Sequence, residues 1–417
     1  MGAETIVLVA ATCIGLYMAA NIGANDLANA MGTSVGSGAL TLRKAVLISI
    51  VANFLGAVLA GGHVTSTISK GMISPDLFVG SPAELMLGMF AALLAAGIWV
   101  HLATILGLPV STTHSIVGAV VGFGLISVGF WAISWGKVIT IAASWVVSPV
   151  AGALIAGAVY YFIRNRILRT ARPEVMALRW SPLLVGAVVL VVILSFIFKG
   201  LKNLHLDLGF GQALVVAVPA AAIIGMAAKK WLRWLLGERK GKKRRSGDVV
   251  LQRLFAYLQV LTACYVAFAH GANDVANAIG PLAAIFSVIR TKSVAMHVEV
   301  PVWMLAVGGL TVGGGLFAFG SRVIETIGGK ITEVTPVRGF CAEFGAATTI
   351  LVCSRLGLPI STTHVLVGAV VGVGFMRGMG FLDMRLLRNI ASSWVITLPF
   401  TMVLAMVFFK ILAVMFL

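Results

Sequence analysis

Charged side chains are scarce in this chain, and acidic ones are the scarcest. Only 11% of its 417 residues are Asp, Glu, Lys or Arg, and just 14 are acidic, whereas 59% are hydrophobic. A soluble domain needs more polar surface than this to stay dissolved, so the soluble classes are excluded. Lipid is the solvent that accepts so much apolar surface, and the composition therefore predicts a membrane protein.

Cysteine is also rare, and its pattern excludes two kinds of site. The four cysteines stand in apolar surroundings and have neither metal-site nor disulfide spacing: Cys13, Cys264, Cys341 and Cys353. We interpret them as small buried residues. The N-terminus lacks the positively charged region of a signal peptide, so we expect the first apolar run to stay in the mature protein.

Long runs without any charged residue divide the chain. The longest, from Leu85 to Gly136, exceeds twice the roughly 20 residues that one membrane-spanning helix needs, so the chain must turn around within it. Further charge-free runs cover residues 5–25, 45–62, 138–163, 180–198, 208–228, 300–321, 356–376 and 389–409. Together they predict an all-α polytopic membrane protein with about 12 transmembrane helices.

The net charge of +17 is concentrated in two segments. They contain Arg164, Arg166, Arg169, Arg172 and Arg179 in the first, and Lys229, Lys230, Arg233, Arg239, Lys240, Lys242, Lys243, Arg244 and Arg245 in the second. Basic loops of this kind face the cytoplasm. We therefore attribute the charge to topology and to contact with anionic membrane lipid, and expect no nucleic-acid partner.

Three sequence blocks occur twice in the same order. Residues 22–32 match 270–280, residues 107–122 match 357–372, and residues 141–145 match 390–394, always about 250 residues apart, which indicates a duplication. We predict a first repeat over residues 1–163, a central basic linker with two transmembrane helices over 164–250, and a second repeat over 251–417.

The basic segments also set the expected orientation. If both are cytoplasmic, the two linker helices cross out and back, and each half contributes five crossings when its polar turn counts as one. An odd number of crossings makes the first half start outside and the second start inside, so the repeats are inverted, as in many secondary transporters. Both termini are then expected outside.

The first repeated motif places a carboxylate, Asp26 or Asp274, beside an apolar run of membrane length. A charge at that depth is costly and therefore indicates a functional site. Nearby amides can join it on one helical face, and Gly23 and Gly271 permit an unwound turn. Such oxygen ligands suit sodium. The predicted cation ligands, which can also help to enclose the anion, are Asn25, Asp26, Asn29, Asn273, Asp274 and Asn277; the alternative is polar contact between helices.

The second repeated motif is a Ser-Thr-Thr-His turn after Pro109 or Pro359. A helix that begins at this serine presents free backbone N–H groups and hydroxyls, which favour an anion. The alternative is a proline kink with ordinary capping residues. Two such turns within charge-free membrane runs favour the anion site, because irregular backbone at that depth must line a cavity. The predicted anion ligands are Ser111, Thr112, Thr113, Ser361, Thr362 and Thr363.

Several other polar residues carry weaker predictions. Glu343 lies in an apolar segment and is either a further cation ligand or a partner in a structural hydrogen bond. His114 and His364 are expected to hold their turns through backbone hydrogen bonds rather than to relay protons. His270 stands where the first repeat has Ile22, so it is not expected to share in the duplicated chemistry.

At these motifs the sequence resembles the inorganic phosphate transporter (PiT) family. The Gly-Ala-Asn-Asp-x-Ala-Asn and Gly-Leu-Pro-x-Ser-Thr-Thr-His blocks carry the resemblance, which extends over essentially the whole chain. It implies sodium- or proton-coupled uptake of phosphate, an inverted-repeat fold with re-entrant helical hairpins, and a homodimer. We prefer sodium as the coupling ion and expect the protein in the plasma membrane. The family also includes proton-coupled members and sulfate permeases, so these alternatives stay open.

Physical chemistry adds one argument for phosphate over sulfate. Monohydrogen phosphate can donate a hydrogen bond to an aspartate, whereas sulfate only accepts. We therefore expect a symporter that works by alternating access, with an uncoupled anion channel as a more distant alternative. Neither a cofactor nor an enzymatic activity is expected, because the same polar groups recur in both halves and suit symmetric binding better than one reaction centre.

Overall fold

The computed structural model describes residues 3–61, 72–200, 208–235, 247–295, 298, 300–355 and 360–417. Within these ranges the chain is helical apart from turns and one isolated antiparallel bridge between Ile73 and Ile133. Residues 236–245 of the second basic segment and Pro359 lie outside the described residues. The predicted all-α architecture is confirmed.

The predicted first repeat contains the helices α1 (Ala3–Ile22), α2 (Ala28–Gly36), α3 (Leu42–Ala60), α4 (Pro82–Ile105), α5 (Thr112–Ser127) and α6 (Trp135–Ile163). A five-residue π-helical turn, Gly23–Leu27, joins α1 to α2. Short helical turns occupy Pro75–Phe78 and Phe130–Ala132, and a further turn, Arg164–Leu168, follows α6 at the start of the predicted linker. Pro82 lies in the first turn of α4, where the missing N–H of proline costs no hydrogen bond.

The predicted linker contains α7 (Pro173–Ser195) and α8 (Phe210–Leu235), with a π-helical turn at Phe196–Gly200. The remaining helices are α9 (Gly247–Asp274), α10 (Ala276–Thr291), α11 (Val302–Phe319), α12 (Ser321–Glu325), α13 (Pro336–Arg355), α14 (Thr362–Phe375) and α15 (Met384–Phe416). Thr326–Lys330 and Met379–Phe381 form short helical turns. The three domain boundaries proposed from the sequence stay a prediction.

Nine helical stretches in the described part are long and apolar enough to cross a membrane. The helices α5 and α14 are apolar but have only 16 and 14 residues, about 24 and 21 Å of length against a hydrocarbon core of about 30 Å. The 20-residue helix α13 is less apolar because it carries Arg338 and Glu343. The expected total of about 12 crossings therefore stays a prediction.

Helices of one half pack closely on helices of the other, and small residues make this possible. The helix α5 packs on α15, and α14 packs on α6. A Cβ at Gly122 would lie 2.2 Å from the carbonyl oxygen of Met402, and one at Gly372 would lie 2.1 Å from that of Ala153. Glycine therefore allows backbones to touch at matching positions of the two halves, as is common between membrane helices.

Two helical hairpins bring the repeated serine–threonine turns into the interior. The helices α4 and α5 pack together, as do α13 and α14. Ser111 and Ser361 cap α5 and α14, each accepting a hydrogen bond of 3.2 Å from the backbone N–H three residues on. Both serines are 1% exposed. The turns that precede α5 and α14 are therefore buried rather than at the surface.

An exposed ion cluster holds the second hairpin at its base. Glu333, which precedes α13, accepts hydrogen bonds from Arg338 at 3.0 Å and from Arg377 at 3.1 Å. These two guanidinium groups lower the pKa of the Glu333 carboxyl below its ordinary value. In the first hairpin the base is held differently, by a 2.6 Å hydrogen bond from Ser127 to Glu84.

Candidate ion-binding site

Two buried aspartates from opposite halves lie close together. Asp26 lies in the π-helical turn after α1 and Asp274 is the last residue of α9; they are 4% and 3% exposed. One oxygen of each carboxylate and a ring nitrogen of His270 lie within 4.8 Å of one another. No lysine or arginine is buried in the part of the chain that the structure describes. The carboxylates therefore need a bound cation or a proton to offset their repulsion.

The unwound turn expected at each motif is not found, because the chain stays helical through both. Gly23–Leu27 is a π-helical turn that continues α1 into α2, and Val275, which alone separates α9 from α10, has helical φ and ψ angles. Neither Gly23 nor Gly271 has a positive φ. Each instead touches another helix, because an added Cβ would lie 1.7 Å from the Val312 carbonyl oxygen or 2.0 Å from that of Asn53. These glycines therefore serve close helix packing rather than an unwound turn.

Asp26 binds both Ser-Thr-Thr turns at once. Thr112, from its own half, donates a short hydrogen bond to Oδ2. Thr363, from the other half, donates to Oδ1 at 2.6 Å and accepts from the amide of Asn29 at 2.8 Å. The predicted cation ligand Asp26 therefore contacts two of the predicted anion ligands directly.

The second half repeats part of this arrangement. Thr362 donates to Oδ2 of Asp274 at 2.9 Å. The amide of Asn277 donates to Thr112 at 3.2 Å and to Thr113 at 3.1 Å. Asn273 is half-buried beside Asp274. The structure thus brings the predicted cation and anion ligands into one connected network, with threonine hydroxyls between aspartates and amides of both halves.

Asn25 is placed differently from the other predicted cation ligands. Its amide nitrogen donates to the Thr104 hydroxyl and to the Leu108 carbonyl oxygen, both at 3.0 Å. Its oxygen accepts from the backbone N–H of Val110, also at 3.0 Å. All three partners belong to the first hairpin, so the Asn25 side chain is engaged by the hairpin rather than directed at the other half.

The histidines that follow the turns lie against each other between two indoles. The ring of His114 stacks on Trp145 at 3.5 Å, that of His364 stacks on Trp394 at 3.7 Å, and the histidine ring centroids are 4.3 Å apart. The predicted backbone bond is seen for His364, whose Nδ1 lies 3.4 Å from the Trp145 carbonyl oxygen. Neither ring nitrogen of His114 has such a partner among the described residues.

His270 is a member of the aspartate cluster that comparison of the repeats did not find. Its Nε2 lies 3.4 Å from Oδ2 of Asp274, and its Nδ1 lies 2.9 Å from the side-chain oxygen of Asn53. Ile22 occupies the matching position of the first repeat, so the duplicated motif alone does not indicate a role for His270. A histidine within an apolar run, four residues before a buried aspartate, was the signal in the sequence.

Glu343 forms a second buried polar centre. It is 0% exposed and accepts four hydrogen bonds, from Thr33 at 2.5 Å, Ser34 at 2.7 Å, Thr262 at 2.7 Å and Gln259 at 3.2 Å. The first two donors lie on α2, which follows Asp26, and the other two lie on α9, which ends at Asp274. This carboxylate therefore joins the two helices that carry the aspartates.

Comparison with known proteins gives a consistent family assignment. A model of the family described as "Phosphate transporter family" matches residues 22–405. The chloroplastic inorganic phosphate transporter 2-1 of Arabidopsis thaliana is 44% identical over 414 residues, covering 94% of this chain and 70% of that protein. A solved structure described as "The sodium-dependent phosphate transporter" superposes with a TM-score of 0.88 at 40% identity, covering 98% of this chain and 99% of the other. This chain belongs to the phosphate transporter family.

Proposed function

We propose that this chain is a symporter that couples the movement of phosphate to sodium by alternating access. The observation that carries the proposal is the pair of buried carboxylates from opposite halves, whose ligand atoms lie within 4.8 Å of one another. A site built from both halves changes when the halves move against each other, which alternating access requires. The solved relative described as sodium-dependent supports sodium as the coupling ion.

Charge balance supports cation coupling. Monohydrogen phosphate carries two negative charges, and Asp26 and Asp274 add two more in a region without a buried lysine or arginine among the described residues. Bound sodium ions offset these charges, since an unpaired buried charge is costly. The sodium ligands in this proposal are the oxygens of Asp26, Asp274, Asn29 and Asn277, with a contribution from Asn273. Glu343 is proposed as the ligand of a further cation.

The threonine hydroxyls connect cation binding to anion binding. In the structure Thr112, Thr362 and Thr363 donate to aspartate oxygens. When sodium ions take over those oxygens, the hydroxyls become available to phosphate, together with Thr113 and the N-terminal amides of α5 and α14 after Ser111 and Ser361. Ordered binding, with sodium before phosphate, follows from this exchange of partners.

The proposal places the chain in the plasma membrane as a homodimer, with both termini outside and the basic segments in the cytoplasm. The excess of arginine and lysine in residues 164–179 and 229–245 supports this orientation. Cysteine-accessibility labelling of single-cysteine variants from each side of sealed vesicles tests it. Labelling of position 169 from the outside would contradict the orientation.

Uptake of radiolabelled phosphate into proteoliposomes tests the central proposal. We expect an imposed inward sodium gradient to drive uptake, and Asp26→Asn or Asp274→Asn to abolish it. The matched control is Asp76→Asn, the same change at an exposed aspartate that binds only Ser74 in the described part; it should transport like the parent chain. Sodium-driven uptake by both site variants would overturn the proposal.

The same preparation separates the alternatives. A proton gradient that drives uptake without sodium would identify a proton-coupled permease. Sulfate that competes at equal concentration would identify a sulfate permease. Phosphate current that persists without any cation gradient would identify an uncoupled channel.

A further inference from the structure

The Asn25 side chain makes all of its described hydrogen bonds to one short segment. Its partners Thr104, Leu108 and Val110 lie at the end of α4 and in the turn that leads to α5, 79 to 85 residues away in sequence. Asn25 is 0% exposed, so water cannot replace these bonds. Both amide protons are used, and the oxygen is directed at the Val110 N–H.

A further hydrogen bond reaches the same turn. Asp26, the next residue, accepts a hydrogen bond from Thr112, which lies two residues after Val110. The side chains of Asn25 and Asp26 thus form hydrogen bonds to the turn on either side of Ser111. The Asn25 bonds fix the backbone that precedes α5. The Asp26 bond fixes the hydroxyl of Thr112, the first residue of α5.

We infer that Asn25 is a positioning residue, which holds the first Ser-Thr-Thr turn against the Asp26 carboxylate, and not a sodium ligand. The inference rests on the proposed function, and assigns Asn25 to the phosphate side of the coupling. The amides of Asn29 and Asn277 differ from that of Asn25, because they donate to threonine hydroxyls of the other half.

The inference separates two quantities that a sodium ligand would change together. Loss of the Asn25 bonds displaces the turn that presents Thr112 and Thr113, so phosphate affinity should fall. Sodium binding in the absence of phosphate should not change, because the oxygens of Asp26 and Asp274 remain. When a binding site loses several buried hydrogen bonds that position it, its affinity for the ligand typically falls by about tenfold or more.

The experiment compares Asn25→Ala with Thr104→Val, which removes one acceptor of the Asn25 amide from the hairpin side. Thermal stabilisation of purified protein by sodium alone gives sodium affinity, and sodium-driven uptake gives the phosphate KM. We expect the phosphate KM to rise about tenfold in Asn25→Ala and severalfold in Thr104→Val. The sodium midpoint should stay within about twofold of the parent chain in both.

Two outcomes would overturn the inference. One is a weakened sodium midpoint in Asn25→Ala, whatever happens to the phosphate KM, which would make Asn25 a sodium ligand. The other is an unchanged phosphate KM in Thr104→Val, which also decides the matter if Asn25→Ala does not fold. Failure of the proposed function would look different, because the parent chain itself would then show neither sodium stabilisation nor sodium-driven uptake.

Discussion

Glu343→Leu should destabilise the protein far more than Glu343→Gln. Leucine is the residue at the matching position of the first half, Leu93, which is fully buried. The substitution removes the acceptor from four donors that approach within 3.2 Å. Glutamine keeps one acceptor oxygen and the shape of the side chain, and thus preserves most of this network.

The magnitude follows from the donors left behind. A buried donor without a partner costs about 1–3 kcal/mol, so four would cost about 4–12 kcal/mol. Thr262 also bonds the Gln259 carbonyl oxygen at 2.9 Å and keeps that partner, which reduces the cost to about 3–9 kcal/mol. Since folded proteins are stable by about 5–15 kcal/mol, the leucine variant should be close to unfolding.

Thermal unfolding in detergent, followed by the loss of the monodisperse peak in size-exclusion chromatography, measures this difference. We expect the leucine variant to unfold well below the parent chain and the glutamine variant close to it. In sodium-driven uptake, the folded glutamine variant should show a lower apparent sodium stoichiometry, since it lacks the charge that we propose binds a further cation. A leucine variant as stable as the glutamine variant would refute the hydrogen-bond argument.

Three further predictions concern other contacts. Thr363→Val should weaken sodium-driven phosphate uptake at least tenfold more than Thr113→Val, because Thr363 donates to the Asp26 carboxylate and a hydrogen bond to a charged group is worth about 1.5–3 kcal/mol. Equal effects of the two variants in the uptake assay would contradict this role of the bond. Gly23→Ala should lower the unfolding temperature, because the added Cβ would overlap the α11 backbone. Gly314→Ala is the control and should leave the unfolding temperature unchanged, because no atom lies within 4 Å of the added carbon. Two equally stable variants would refute the packing argument. Glu333→Gln should be less stable than the parent chain near neutral pH. Because arginines lower the Glu333 pKa from 4.5, the difference in stability between the two proteins should vanish as the pH falls through that lowered pKa. A difference in stability that persists in acid would exclude an ionic cause.

The sequence predicted the class of fold well because one physical property determines it. Runs such as residues 85–136 lack charge altogether, and lipid forces such runs to be helical. The number of crossings was harder to predict. Helices α5 and α14 end inside the protein, and their lengths are set by where the buried turns at Ser111 and Ser361 begin, which hydropathy does not reveal.

The site was predictable where its residues occur twice. Duplication drew attention to Asp26 and Asp274, and the structure places both in one cluster with His270. Residues that occur once were missed or left open for the same reason, since comparison of the repeats gives them no weight. The role of Asn25 was also beyond the sequence, because its bonds join segments 79 to 85 residues apart and depend on how the hairpin folds back.

Glu343 also bears on how such a protein could have arisen. With Asp26 and Asp274 it brings the buried carboxylates of the described residues to three, an odd number. Two identical polypeptides related by a twofold axis can contribute only even numbers of any side chain. A dimer of separate identical copies therefore cannot form an arrangement with three such acids, whereas a single chain can, because Leu93 stands where Glu343 lies in the other half.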